Sequence, residues 1–264
     1  MNARPDGRDL PRTDGVRHPP RYLLHNPLLR SLARRRLSRQ YDVRVTGAEH
    51  LPRRGPVVVA ANHIGWLDGP LLGIVLPRPV HAWTKDDMFT GRTGTFLAQA
   101  GQIPIDRFHP DPRAVKAALR VLRAGNAVGI FPEGNRGDGE VRRFHRGAAY
   151  LALASGAPVV PVALFGTRLP GGALDSRPPA GSRIDVVVGA PVPVECQPWP
   201  RTREQVEALS RLLQGRLRDH VDAVRVATGL ELPGPMPATE REPDPATAIN
   251  DEHTARSRTE EHHD

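Results

Sequence analysis

The stretch Val57-Val58-Val59-Ala60-Ala61-Asn62-His63-Ile64-Gly65-Trp66-Leu67-Asp68 runs an apolar segment into a histidine and sets an aspartate five positions further on. A histidine whose ring is fixed by a carboxylate can take a proton from a hydroxyl near neutral pH. On a regular helix an offset of five separates two side chains by about 140°. The pair therefore predicts a turn from strand to helix, where the chain curls Asp68 back towards the ring. Taken alone, it fits equally a loop histidine and a helix-capping aspartate with no joint role.

Three further stretches carry groups of use to such a base. Gly101-Gln102-Ile103-Pro104-Ile105-Asp106-Arg107 sets an arginine just past a short extended segment, where its planar fork could hold a phosphate. Phe131-Pro132-Glu133-Gly134-Asn135-Arg136-Gly137 follows an apolar run. Its glycines permit a tight loop, and Glu133 and Arg136 can bind polar substrate groups. The fourth stretch is Val159-Val160-Pro161-Val162-Ala163-Leu164. Each alone also reads as a surface arginine, a turn or an edge strand.

The elements that must position these groups alternate between strand and helix. Strands are expected at 43–46, 57–61, 80–84, 102–105, 127–131, 159–164 and 184–188, from β-branched runs bounded by glycine and proline. The 57–61 run is apolar throughout and should be buried on both faces. Pro161 predicts an edge position or a bulge. Helices are expected at 69–76, 91–100, 112–124, 146–155 and 203–228. Asp111, Pro112 and Gly125 bound the third, and Thr202, Gln205 and Gly229 bound the last. Alternation of this kind predicts an α/β fold: a central, mostly parallel or mixed sheet covered by helices. Ligands of such sheets bind outside the carboxyl ends of the strands.

Composition sets the limits. Only 39% of the 264 residues are apolar and 28 are proline, so part of the chain should lie outside the core. The net charge of +8 is uneven. Residues 1–40 hold ten arginines against three aspartates, and residues 239–264 hold eight acids against three arginines. The expected organisation is a disordered arm over 1–20, a basic amphipathic helix over 21–40, a catalytic domain over 41–231 and a disordered acidic tail over 232–264. In the 21–40 helix Leu28, Leu29 and Leu32 share a face that five arginines surround. Such a helix can lie in a lipid interface, or its leucines can dock on the domain.

Only Lys85 and Lys116 among the 37 basic residues are lysine, so the arginine count is a bias of the whole chain. No Walker-type loop, basic-aromatic RNA signature or zinc spacing is present, and nucleic acid is not an expected partner. One cysteine, Cys196, excludes an intrachain disulfide and a cysteine-based metal site, and no role is expected of it. The first twenty residues contain no apolar signal-peptide core, and no apolar run approaches bilayer length. The expectation is a protein that is soluble or rests on a membrane surface.

Taken together and in order, N-H-x-x-x-x-D at 62–68, G-x-I-x-I-x-R at 101–107, F-P-E-G-x-R at 131–136 and the V-P-V strand at 160–162 resemble the glycerolipid acyltransferase family, above all its 1-acylglycerol-3-phosphate acyltransferases. The likeness extends over about 43–190 and includes Thr84-Lys85 and Phe144-His145-Arg146-Gly147-Ala148. It implies transfer of a fatty acyl group from a thioester of coenzyme A or acyl carrier protein to the sn-2 hydroxyl of lysophosphatidic acid, with no cofactor and no metal. It further implies His63 as general base, Asp68 as its orienting partner, and Arg107, Glu133, Gly134 and Arg136 as the acceptor site. The expected location is cytoplasmic, peripheral on the inner face of the cell membrane, against an anionic lipid surface. Other readings on this fold are the same chemistry on another lysolipid or glycolipid, or a catalytically silent lipid-binding protein. The chain departs from the family pattern at Gly65, where serine is common, and at Asn135, where threonine is usual. Trp66 could pack against the acyl chain, but its usual burial makes the core the expectation.

Overall fold

A computed structural model describes residues 12–20 and 22–235. The helices are α1 (Pro27–Gln40), α2 (Asp68–Val75), α3 (Gly91–Gln99), α4 (Pro112–Arg123), α5 (Gly147–Ser155) and α6 (Arg203–Thr228). The strands are β1 (Asp42–Thr46), β2 (Val57–Ala61), β3 (Val80–Lys85), β4 (Ile103–Ile105), β5 (Ala127–Ile130), β6 (Val159–Phe165) and β7 (Arg183–Val188). They form one sheet in the order β1-β7-β6-β2-β5-β3-β4. β2 to β6 run parallel, and β7 turns back antiparallel to β6 with β1 alongside it.

β2 lies between β6 and β5, fully buried, as its unbroken apolar run requires. Its side chains alternate between two cores. Val58 and Ala60 pack with α4 and α5, while Val57, Val59 and Ala61 pack with Leu71 and Leu72 of α2. Covered on both faces, β2 carries the Asn62-His63 step out of its carboxyl end. The helix ends follow their capping chemistry. Asp111 accepts from the backbone of Arg113 and Ala114, and Thr202 and Gln205 form a reciprocal capping box at the start of α6.

Pro161 does not lie on an edge, because β6 has β7 on one side and β2 on the other. It sits at a bulge instead. Between the Val162–Val188 pair and the Val159–Val192 bridge, residues 189–191 face only 160–161. The Pro161 carbonyl accepts from Gly189 at 2.8 Å, so the missing N–H also points to the side where the ladder has parted.

The arm and the tail are less detached than their composition suggests. Residues 12–20 lie along the domain: Val16 packs on the α4–α5 core, and the Arg123 guanidinium donates to the Thr13 hydroxyl. At the other end, Leu232 is buried and the Pro233 carbonyl accepts from Gly171. The remaining residues of both expected segments, 1–11 and 236–264, lie outside the described residues. α1 buries none of its residues, and Leu28 and Leu32 are exposed. Leu37 packs against the core from the side, and two arginines hold the helix to α2. Arg30 and Arg34 donate to the carbonyls of Ile74 and Leu76 at the end of α2, where a helix presents unpaired acceptors. No described helix is long and apolar enough to cross a membrane.

Candidate active site

The turn 62–67 leaves β2 and enters α2, as the histidine–aspartate spacing requires. His63 Nδ1 lies 2.8 Å from Asp68 Oδ2. Asp68 is the first residue of α2 and is completely buried. Its Oδ2 also accepts from the backbone of Ile64 at 2.6 Å and Gly65 at 2.8 Å, and its Oδ1 accepts from the Thr167 hydroxyl at 2.5 Å. A carboxylate that serves four donors has one position. With Nδ1 committed to it as a donor, the lone pair of His63 is on Nε2. The imidazole stacks on the Phe131 ring, centroids 4.1 Å apart. Asn62 anchors the root of the turn: its amide exchanges two hydrogen bonds with the Leu164 backbone of β6.

The loop after β5 grips the same turn from below. Glu133 Oε1 accepts from the His63 backbone N–H at 2.8 Å, and Gly137 N–H donates to the His63 carbonyl at 2.8 Å. The Val141 backbone N–H also donates to the Glu133 carboxylate. Burial pushes Glu133 up to about 8, with Asp138 and Asp68 adding to it, against the two backbone hydrogen bonds. Val141 itself is a buried β-branched residue at φ 52°. Gln214 of α6 holds it there by donating to the carbonyls of Val141 and Arg142. A left-handed valine persists only where its surroundings fix it.

Of the residues expected at the site, His63, Asp68 and Glu133 are in direct contact. Arg107 reaches the same loop, donating to the Gly134 carbonyl at 2.8 Å and to the Asn135 side chain. Gly134 has φ 79°, and a Cβ there would stand 2.7 Å from His145 Nε2. The position is therefore closed to a side chain. Burial pulls His145 down, and Arg143, Arg146 and Arg107 act in the same direction. Arg136 reaches the segment between β6 and β7. Its guanidinium donates to the Leu174 carbonyl at 3.2 Å and to Asp175 at 2.9 Å. Trp66 is not in the core: it is 42% exposed, with the Arg177 guanidinium 4.5 Å above its ring. The turn faces outward at this position, so burial of its neighbours does not extend to the indole.

Two residues here have no counterpart in the sequence reading. Thr167 binds Asp68, and its carbonyl oxygen would lie 2.6 Å from a Cβ on Gly65. Gly65 is thus the residue that lets the 166–168 turn close on the His63–Asp68 turn. Arg168 is a fully buried arginine that donates to four carbonyls: Ile64 at 2.8 Å, Gly137 at 2.7 Å, Gly172 at 2.9 Å and Gly234 at 3.4 Å. The one available signal was position: both follow the carboxyl end of β6, beside that of β2.

An acyltransferase family model matches residues 42–165. A 1-acyl-sn-glycerol-3-phosphate acyltransferase of Bacillus subtilis (strain 168) is 31% identical over 185 residues, which span 69% of this chain and 90% of that protein. The chain belongs to the glycerolipid acyltransferase family. This acyltransferase is also 36% identical over 141 residues to a lyso-ornithine lipid O-acyltransferase of Pseudomonas aeruginosa, covering 50% of this chain and 51% of that one. The crystal structure of the 1-acyl-sn-glycerophosphate (LPA) acyltransferase PlsC from Thermotoga maritima has the same fold, with a TM-score of 0.57 and 22% identity over 74% of this acyltransferase and 78% of its own chain. Among the described residues, no three His, Cys, Asp or Glu side chains are grouped to hold a metal ion.

Proposed function

We propose that this acyltransferase moves a fatty acyl group from a coenzyme A or acyl-carrier-protein thioester to the sn-2 hydroxyl of lysophosphatidic acid. The observation that carries the reading is the Asp68–His63 pair, with Nδ1 occupied and Nε2 left for the acceptor. Nε2 takes the hydroxyl proton as the oxygen bonds to the thioester carbonyl carbon. The C–S bond then breaks, and the imidazolium returns the proton to the departing thiolate. Asp68 stabilises that imidazolium and keeps the ring in one tautomer. The scheme calls for no resident cofactor or metal. It also needs no acyl-enzyme: Cys196 lies after β7, its thiol near the Ala154 carbonyl at the end of α5.

Arg107 and Arg136 are the cations assigned to the acceptor phosphate, and Gly134 lets the backbone between them approach it. Glu133 acts on the acceptor indirectly, by holding the His63 backbone. A second reading keeps the chemistry and changes the headgroup to a zwitterionic one. The acidic Asp175 on Arg136 favours it, and so does the Pseudomonas relative named for lyso-ornithine lipid. The proposed workplace is the cytoplasmic face of an anionic membrane. Exposed Leu28, Leu29 and Leu32 on α1 would enter the interface, with Arg35, Arg36 and Arg39 beside them.

The test is thiol release from an acyl-CoA or acyl carrier protein in the presence of lysophosphatidic acid. His63→Ala should lower turnover by roughly 10²–10⁴, the usual contribution of a general base, and leave the circular dichroism spectrum intact. Undiminished turnover in that variant removes His63 from the mechanism.

A further inference from the structure

The segment between β6 and β7 is fixed at its root and light at its tip. At the root, Arg168 donates to the Gly172 carbonyl and Gly171 donates to Pro233. The tip, residues 174–177, reaches over two of the motif loops at once. Arg177 stacks on Trp66, which lies three residues from His63, and Asp175 pairs with Arg136. The pairing is lopsided. The Arg136 side chain is 15% exposed, whereas the Asp175 carboxylate is 81% exposed. A nearly buried cation is thus covered by a carboxylate standing in water.

We propose that this tip is an acceptor gate: Asp175 occupies on Arg136 the seat of the acceptor's anionic headgroup, and so sets which headgroups the enzyme accepts. The idea rests on Arg136 belonging to the acceptor site. An exposed carboxylate such as Asp175 holds a cation weakly, because solvent screens it and its side chain loses entropy on pairing. The lysophosphatidic acid phosphomonoester, with up to two charges and a bidentate set of oxygens, is the stronger partner and displaces it. A headgroup with its own ammonium has less to gain at Arg136 and can keep Asp175 as a partner. Asp175 therefore penalises dianionic headgroups and spares zwitterionic ones. Arg177 on Trp66 supplies the second, equally weak fastening that returns the tip when the site empties.

Direct binding tests this without turnover. Calorimetry with short-chain lysophosphatidic acid below its micelle concentration would compare wild type with Asp175→Ala and Arg177→Ala. Asp175→Ala should bind about two- to fivefold tighter, the range that an exposed ion pair commands. Arg177→Ala should shift the same way by less. The gain should vanish on an Arg136→Ala background, as coupled residues require. Lysophosphatidylethanolamine should show no gain. Unchanged or weaker binding of lysophosphatidic acid to Asp175→Ala overturns the gate, and so does an equal gain with the zwitterionic lipid. If binding tightens as expected but the wild type releases no thiol with any acceptor, the gate stands and the catalytic reading fails.

Discussion

The turn at 62–68 and the segment at 169–177 border the same site and are held in opposite ways. The turn is fixed by buried or half-buried hydrogen bonds, most of them from backbone amides: four to Asp68, two between His63 and the loop after β5, two between Asn62 and β6. The rim segment touches the motif loops through the Leu174 carbonyl and the exposed Asp175 carboxylate on Arg136, and through an exposed cation–π contact. Buried polar contacts are expensive to break because a bare donor or acceptor is left behind, and exposed ones are nearly free to exchange. In the proposed scheme proton transfer needs a ring fixed to within a few tenths of an ångström, whereas headgroup capture needs a surface that can let go. On that reading residues for both tasks stand side by side, and burial separates the rigid set from the exchangeable one.

Substitutions can break that contrast, and His63→Ala tops the scale. Next is the Gly65–Thr167 contact. Gly65→Ala puts a carbon 2.6 Å from the Thr167 carbonyl and should destabilise the fold by roughly 1–3 kcal/mol. Thr167→Val should lower kcat more than it changes KM, and Thr167→Ser, which restores the donor to Asp68, should recover it. A Gly65→Ala protein as stable and active as wild type would place the turn among the adjustable parts.

Glu133 gives a smaller and pH-dependent effect. Its folded pKa, about 8, lies above the ordinary value of 4.5, so the folded state holds the proton more tightly than the unfolded chain does. Its contribution is fully present below about 4.5 and is lost as pH rises through about 8. Urea titrations across that window should show wild type losing stability relative to Glu133→Gln, whose amide oxygen can still accept from His63. A flat difference would mean that Glu133 is not buried as described. The smallest effect is at α1. Leu28→Gln with Leu32→Gln should leave stability within about 0.5 kcal/mol, since both side chains are exposed. Sedimentation with anionic vesicles should fall; equal sedimentation would remove α1 as the anchor.

Much of this was readable from the sequence because period and punctuation carry it. The α/β alternation, the capped ends of α4 and α6, the buried β2 and the strand-to-helix turn that joins His63 to Asp68 all follow from local rules. What escaped depends on neighbours distant in the chain. Pro161 left an edge or a bulge open, and only the distant 189–191 segment decides for the bulge. Trp66 argued for burial by size, but its environment is fixed by Arg177, over a hundred positions away. Arg168 was one arginine among many, and nothing local marks it as buried. Gly65 stood out as a departure, but its reason, the backbone of Thr167, lies in another loop.

The buried guanidinium of Arg168 has a consequence for folding order. Its described acceptors come from residues 64, 137, 172 and 234, so the candidate site is tied together by contacts that, apart from Gly172, have long sequence separation. Closing such loops is slow compared with forming the local strand–helix units. On a chain emerging from the ribosome, β2 and α2 can exist well before Gly234 has been made. The full set of Arg168 contacts, which includes the carbonyl of Ile64 next to His63, can therefore close only once Gly234 has been made.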